Sequence, residues 1–408
     1  MVRVTDMTHG RPIRLILLFS LPLMLGSVFQ QLYTIVDTII IGRGVGMQAL
    51  ASIGAADWIN WLVLWGLQGF TILAAQEFGA GAYDRLRRVL AMIVKLSCWF
   101  GIAVTIISLL LVRPLLTLLR TDPAVFGGAQ TYLYVQFGGS LIIIAYNMAA
   151  AVLRCLGDSR TPLLAILAAS FANIALDLLF VMGVGWGIFG ASFATVLAQL
   201  IAFLLCLRSL RRLPFVQLTK ADWKTDPAIL LHLCRLGIPT GLQMSMITLG
   251  GMVLQSVLNG FGVVFVAGYT AANKLYGILE SASVAFGYAM TAYMGQNRGA
   301  RNAARIDAGI RAVLALSAGF TAAIVMAMLL AGKPLLGLFL STEEAGAADA
   351  LAVAYQYLMV LMAFLFALFV LQAYRSSLQG LGEMTVPTLS GFAEMLMRMG
   401  AALVLPVF

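Results

Sequence analysis

The chain has 408 residues, 61% of them hydrophobic and 11% charged, with a formal net charge of +9. Soluble domains hold about 45–50% apolar and about 25% charged residues, so a soluble enzyme, a disordered scaffold and an ordinary nucleic-acid binder are excluded. A polytopic helical membrane protein remains, and its positive charge has to be explained by where it sits.

A helix needs about 20 mostly apolar residues to cross a hydrocarbon core of about 30 Å. Such stretches are predicted at 14–42, 49–75, 89–112, 127–153, 162–182 and 187–207. After a polar connection they resume at 229–258, 263–293, 309–332, 352–380 and 386–408. The short alternating segments of an outer-membrane barrel do not occur. With the N-terminus in the cytoplasm, 20 of the 26 Lys and Arg residues fall on inside segments. Four (Arg43, Arg113, Arg120 and Lys333) fall outside, and Lys274 and Arg398 lie within spans. That asymmetry puts the N-terminus inside. The charge complements anionic lipid and requires no nucleic acid. The first apolar stretch is too long for a cleavable signal peptide and continues into a span. Cys98, Cys155, Cys206 and Cys234 have no paired spacing, so neither a disulfide framework nor a thiolate metal site is expected.

The two halves resemble each other. LRCLGDSRTP at 153–162 answers LQGLGEMTVP at 378–387, which aligns Gly157 with Gly382, Asp158 with Glu383 and Pro162 with Pro387. RPLLTLL at 113–119 answers KPLLGLF at 333–339, and QEFGAGAYDR at 76–85 answers QNRGARNAAR at 296–305. Ser20-Leu21-Pro22 finds Gly237-Ile238-Pro239. Six spans per unit return the chain to the same side, so parallel repeats are expected, related by a pseudo-twofold axis along the membrane normal. The expected fold is all-α, with an N-lobe over residues 1–207, a cytoplasmic linker at 208–228 and a C-lobe over 229–408. By this repeat the second lobe holds five spans of six, and a twelfth is expected beyond Phe408.

A carboxylate at the bilayer centre costs about 2.5–3.5 kcal/mol on insertion scales. Asp37, Asp177, Glu280 and Glu394 all sit well inside spans. Gln30, Tyr33 and Asp37 share one helical face, as do Asn173 and Asp177 on the fifth span, and Thr195 lies on the sixth. Two carboxylates, a carboxamide and a hydroxyl make a set of hard oxygen donors suited to Na⁺. Alternatively, desolvation and like charge convert one carboxylate into a proton carrier. Structural hydrogen bonding between helices is the plain alternative. Glu394 and Arg398, four residues apart, read as an ion pair.

PLMLGSVFQQLYTIVDTIIIG, QEFGAG, RCLGDSRTP, NIALDLLFVMGVGWGIFGASFAT and AANKLYGILESASVAFGYAMTAYMGQNRGA together resemble the multidrug and toxic compound extrusion (MATE) family. The resemblance covers essentially the whole chain. It implies an N-lobe cation site at Asp37, Asn173, Asp177 and Thr195. It also implies that Gln30, Tyr33, Tyr132 and Asn147 line the polar region near that site, and that Glu280 faces a central substrate cavity. The chain departs from family members with an acid on the seventh helix, because Met244, Ser245, Met246 and Ile247 stand there. The expectation is a monomeric bacterial inner-membrane antiporter, without a cofactor, that exports cationic or amphipathic organic compounds against inward Na⁺ or H⁺. A lipid-linked oligosaccharide flippase would need more cavity cations than Lys274 and Arg398. An enzyme is not expected, because His9 and His232 sit at the cytoplasmic margin. An Asp37–Asp177 aspartyl dyad is its one formal route.

Overall fold

The computed structural model describes residues 4–64, 68–119, 121–339 and 346–404. Arg3, Arg120, the middle of the second expected span and the last four residues of the eleventh lie outside them. The described residues form thirteen α-helices and no strand. In chain order these are α1 (Pro12–Gly44), α2 (Met47–Leu64), α3 (Ile72–Gly79), α4 (Tyr83–Leu118), α5 (Pro123–Gly138), α6 (Ser140–Cys155) and α7 (Arg160–Asp177). They continue as α8 (Gly187–Arg211), α9 (Pro227–Leu258), α10 (Val263–Gly299), α11 (Ala303–Gly337), α12 (Ala347–Gly380) and α13 (Thr385–Val404). Among the described residues, seven helices are long and apolar enough to cross a membrane, or eight if the bent pair α5–α6 counts as one span.

Two expected spans differ from a single rod. The stretch at 49–75 forms α2, a 3₁₀ turn at Gln68–Thr71 and the start of α3. The stretch at 127–153 forms α5 and α6, which meet at 53°. Gly138-Gly139-Ser140 sits at that corner, and glycine–serine runs are where helices kink without proline. The aligned residues of the second half are Ala363, Phe364 and Leu365, and α12 runs unbroken through them. The same backbone plan is thus bent or straight according to whether Cβ atoms stiffen it.

Packing repeats between the halves. In the first, α1 packs on α7, α2 on α5, α3 on α6, and α4 on both α5 and α6. In the second, α9 packs on α13, α10 on α12 and α11 on α12. Glycines permit the close approaches: Gly391 of α13 lies against Gln243 of α9, and Gly250 of α9 lies against Met395 of α13. Lipid is as apolar as leucine, so such van der Waals contact, rather than hydrophobic exclusion, draws spans together.

The chain turns alike after α6 and after α12. Gly157 (φ 91°) and Gly382 (φ 74°) take the left-handed conformation that a Cβ would oppose. The next residue then caps the following helix. Asp158 Oδ1 accepts from the Arg160 and Thr161 amides, each at 3.0 Å, and Glu383 Oε1 accepts from the Thr385 amide at 2.9 Å.

The cores interlock. Ile16, Phe19 and Leu23 at the start of α1 join the apolar cluster of α10, α11 and α12. Reciprocally, Ile229, Leu233 and Leu236 at the start of α9 join the cluster built on α3, α4 and α6. Each lobe therefore begins inside its partner. Outward lies a broad apolar surface, with Leu110 72%, Phe171 69%, Leu330 78% and Phe364 68% exposed. A surface of that kind belongs against lipid.

Candidate functional site

The first lobe holds a small, partly open polar cavity between α1, α6, α7 and α8. Its walls include Gln30, Tyr33, Tyr146, Ser170, Asn173, Thr195 and Gln199. One turn beyond Tyr33 on α1 and one turn beyond Asn173 on α7, the carboxyl groups of Asp37 and Asp177 lie beside each other. The α1–α7 contact brings them together.

Local structure aims these groups. On α1 the Thr34 and Thr38 hydroxyls fold back onto the carbonyls of Gln30 and Thr34 at 2.9 and 2.8 Å. Asp177 is the last residue of α7 before a π-helical turn at Leu178–Gly183. Such widened turns collect at functional sites. Val181 of this turn packs where α1 passes with Gly44, whose missing side chain leaves room for it.

The polar atoms are conspicuously unsatisfied. Asp177 is fully buried and Asn173 is 2% exposed. Beyond each other's carboxyl group, Asp177 and the Oδ1 of Asp37 meet no hydrogen-bond donor, and Asn173 Oδ1 and Nδ2, Ser170 Oγ and Gln199 Oε1 have no partner. Buried polar groups are ordinarily paired, and leaving one unpaired costs about 1–3 kcal/mol. So many in one place form a set of oxygens and amide groups able to take a polar ligand. The Thr195 hydroxyl donates to Ala191 O at 3.1 Å, so its oxygen keeps its acceptor capacity. Hard oxygens of this kind match a small cation or a proton. No group of three or more His, Cys, Asp or Glu side chains that could hold a metal ion occurs among the described residues. The acids here come as a pair, supplemented by neutral oxygens.

Of the residues expected at the site, Gln30, Tyr33, Asn173 and Thr195 line this cavity, with Asp37 and Asp177 next to it. Tyr132 packs against a different cluster, around Val112, Leu116 and Leu133. The Asn147 amide donates to Ile143 O of its own helix at 3.0 Å, and its neighbour Tyr146 faces the cavity instead. Glu280 is half-buried on α10, near Tyr276, Glu394 and Arg398, and is not on this cavity. Ser170 and Gln199 line it too, beyond the expected set; helical spacing puts them on the faces of Asn173 and Thr195. The Glu394–Arg398 pair is present at 2.7 Å and has a third member. Buried Arg375 bonds Glu394 at 3.1 Å and Ser390 at 3.0 Å.

A two-lobed bundle of membrane-spanning helices with a polar cavity inside a lobe defines a multi-pass membrane transporter. The MatE family model matches residues 22–179 and 239–404, one segment in each half, and this chain belongs to that family. It is 35% identical to the probable multidrug resistance protein YpnP of Bacillus subtilis, over 88% of this chain and 80% of that one. It is 25% identical to the probable multidrug resistance protein NorM of Thermotoga maritima, over 80% of this chain and 72% of that one. Among solved structures, an outward-facing multidrug resistance MATE family transporter superposes with a TM-score of 0.88 at 24% identity, covering 98% of this chain and 90% of that one. A MOP superfamily transporter from Pyrococcus furiosus gives 0.80 at 23% identity, covering 98% of each chain.

Proposed function

We propose that this protein is a cation-coupled antiporter that exports cationic or amphipathic organic compounds across the bacterial cytoplasmic membrane, as a monomer with its N-terminus inside. The observation that carries the reading is the pair Asp37–Asp177 beside Asn173, two buried carboxyls that meet each other and no cationic or donor side chain. Na⁺ or H⁺ entering down its gradient is the cargo these oxygens would take. The ion neutralises part of the pair's charge, so the conformer that holds it well is favoured over the conformer that holds substrate well. Coupling needs that differential affinity, because a ligand bound equally by both states shifts nothing. Glu280, on the second lobe, supplies negative charge for a cationic substrate. The 20 to 4 distribution of basic residues supports the orientation.

The test is ethidium efflux from membrane vesicles under an imposed Na⁺ gradient or an imposed pH gradient, with wild type beside Asp37→Asn. Wild type should respond to one gradient and the variant to neither, at equal abundance in the membrane. Full efflux by Asp37→Asn would remove this carboxylate from the coupling site. The flippase reading has less support: Arg375 and Arg398, the basic residues beside the second-lobe acids, are both already paired with Glu394.

A further inference from the structure

At the end of the molecule that carries residues 4–11, the two lobes are joined by a set of contacts that repeats itself across the pseudo-twofold axis. Gln76, at the end of α3, donates through Nε2 to Gly380 O at 3.1 Å. Gln296, its counterpart near the end of α10, donates through Nε2 to Cys155 O at 3.0 Å. Cys155 and Gly380 are themselves aligned, each the last residue of its helix, α6 and α12. Between these bonds the backbones touch. A Cβ on Gly79 would collide with the Gln296 carbonyl, and a Cβ on Gly299 with the Gln76 carbonyl. The flanking ties match as well. Arg85 pairs with Glu77 at 3.0 Å, and Arg305 Nε donates to Asn297 Oδ1 at 2.9 Å.

The chain's first described residues lie across this junction. The Thr5 amide donates to Gly157 O of the first lobe at 3.1 Å, and the Met7 amide donates to Gln296 Oε1 of the second at 2.9 Å. Met7 O accepts from Asn297 Nδ2 and Arg305 Nη2 at 3.1 and 3.0 Å, and Gly10 O accepts from Arg305 Nη1 at 2.8 Å. The Met7 side chain is fully buried in the second lobe's core cluster. Arg154 of the first lobe stacks over the Tyr288 ring of the second, 4.6 Å from its centroid.

We propose that Gln76 and Gln296, the glycines Gly79 and Gly299 and the strap Thr5–Gly10 are the gate that closes the transport pathway at this end. Breaking both glutamine bonds is then the step that admits the opposite-facing state. The chemistry suits a reversible closure. The last carbonyls of a helix have no intrahelical partner, so Cys155 O and Gly380 O accept from a glutamine when the gate is shut and from water when it opens. That near-balanced exchange holds the closed state without trapping it. Because the two bonds are related by the internal symmetry, a rocking motion about the axis loads both together. The gate rests on the two-conformer antiporter reading above, and its assignment to the cytoplasmic face rests also on the proposed orientation.

The experiment uses the full chain with Cys98→Ser, Cys206→Ala and Cys234→Ser, which leaves Cys155, 5% exposed beneath the gate, as the reporter thiol. A membrane-impermeant maleimide is applied to inverted vesicles and, separately, to intact cells. Gln76→Ala or Gln296→Ala should each raise the labelling rate in inverted vesicles roughly fivefold, and the double variant about 25-fold, one ordinary net hydrogen bond per substitution. Removal of residues 2–8, which touches no span, should also raise it. Wild-type labelling rates in folded variants would overturn the gate, since a merely structural role lowers thermal stability without exposing the thiol. If the double variant fails to reach the membrane, unchanged labelling after strap removal overturns it equally. Faster labelling only in intact cells would keep the gate and reverse the orientation. Loss of ethidium transport in the wild type under every gradient would sink the antiporter reading while leaving the labelling result intact.

Discussion

Asp177 holds its carboxyl group in a fully buried position with only the Asp37 carboxyl for company, a state that ordinary packing gives no reason to keep. Residues of this kind were visible in the sequence because charge is so scarce there. Asp37 and Asp177 stand out against apolar helices, and their helical spacing pointed to Tyr33 and Asn173 as companions. What could not be read was rotation about a helix axis after a bend. Tyr146 faces the cavity where Asn147 was expected, because α6 restarts beyond the Gly138-Gly139 corner and its face is no longer fixed by α5. Arg375 was equally hidden. Counted among cytoplasmic basic residues, it is 7% exposed and bonded to Glu394 across two helices. Glu394→Ala strands that buried guanidinium and should lower stability by about 3 kcal/mol, whereas Arg398→Ala, which removes a half-exposed partner, should cost about 1 kcal/mol or less. Thermal melting in detergent ranks the two; equal losses would contradict the account of the triad. Outside the spans, the hydroxyl and amide of Thr385 hold the Glu383 carboxyl below the usual carboxylate range. The contribution of that cap is present above the unfolded pKa and fades as pH falls through the depressed folded value. Glu383→Gln should therefore flatten the acid limb of the melting profile, and an unchanged limb would count against the cap.

Elements were legible by length and hydropathy, and less so by straightness. Thirteen helices occupy the territory of eleven predicted spans because the spans at 49–75 and 127–153 are interrupted. Glycine-rich composition marks both places, yet glycine also occurs inside unbroken helices, so composition alone cannot announce a bend. The α5–α6 corner offers a clean contrast. A Cβ on Gly138 would enter open space, whereas one on Gly139 would come within 2.5 Å of Val196 on α8. Val196 neighbours Thr195 and is three residues from Gln199, both on the cavity wall. Overpacking of this kind costs about 1–3 kcal/mol and displaces the helix that meets it. Gly139→Ala should weaken ethidium transport several-fold while Gly138→Ala leaves it near wild type. Identical transport by the two variants would show that the corner does not position the α8 side of the site. The π-helical turn after Asp177 had no sequence signature at all: its residues, Leu178 to Gly183, read as continuous apolar helix.

At the scale of the whole molecule, the repeat was the most informative sequence feature, and it reappears in physical detail that apolar composition could not foretell. Two turns with left-handed glycines, two caps, two glutamine bonds and two exchanged helix starts obey the same internal symmetry. The halves differ in their buried charge: the first lobe pairs two acids among unsatisfied polar groups, while the second answers with an Arg375–Glu394–Arg398 network. Antiport requires that ion and substrate oppose each other through the lobes, and binding linkage makes that opposition reciprocal. If the ion weakens substrate binding, substrate must expel the ion by the same factor. The direct measurement adds ethidium to purified, ion-loaded protein in detergent and follows ion release with a pH indicator and, in parallel, a Na⁺-sensitive probe. Wild type should release one of the two ions on saturation with ethidium, and Asp37→Asn and Asp177→Asn should release none while remaining folded. Ethidium binding with no ion released from the wild type, or equal release from the Asp variants, would contradict the coupling assigned to this pair.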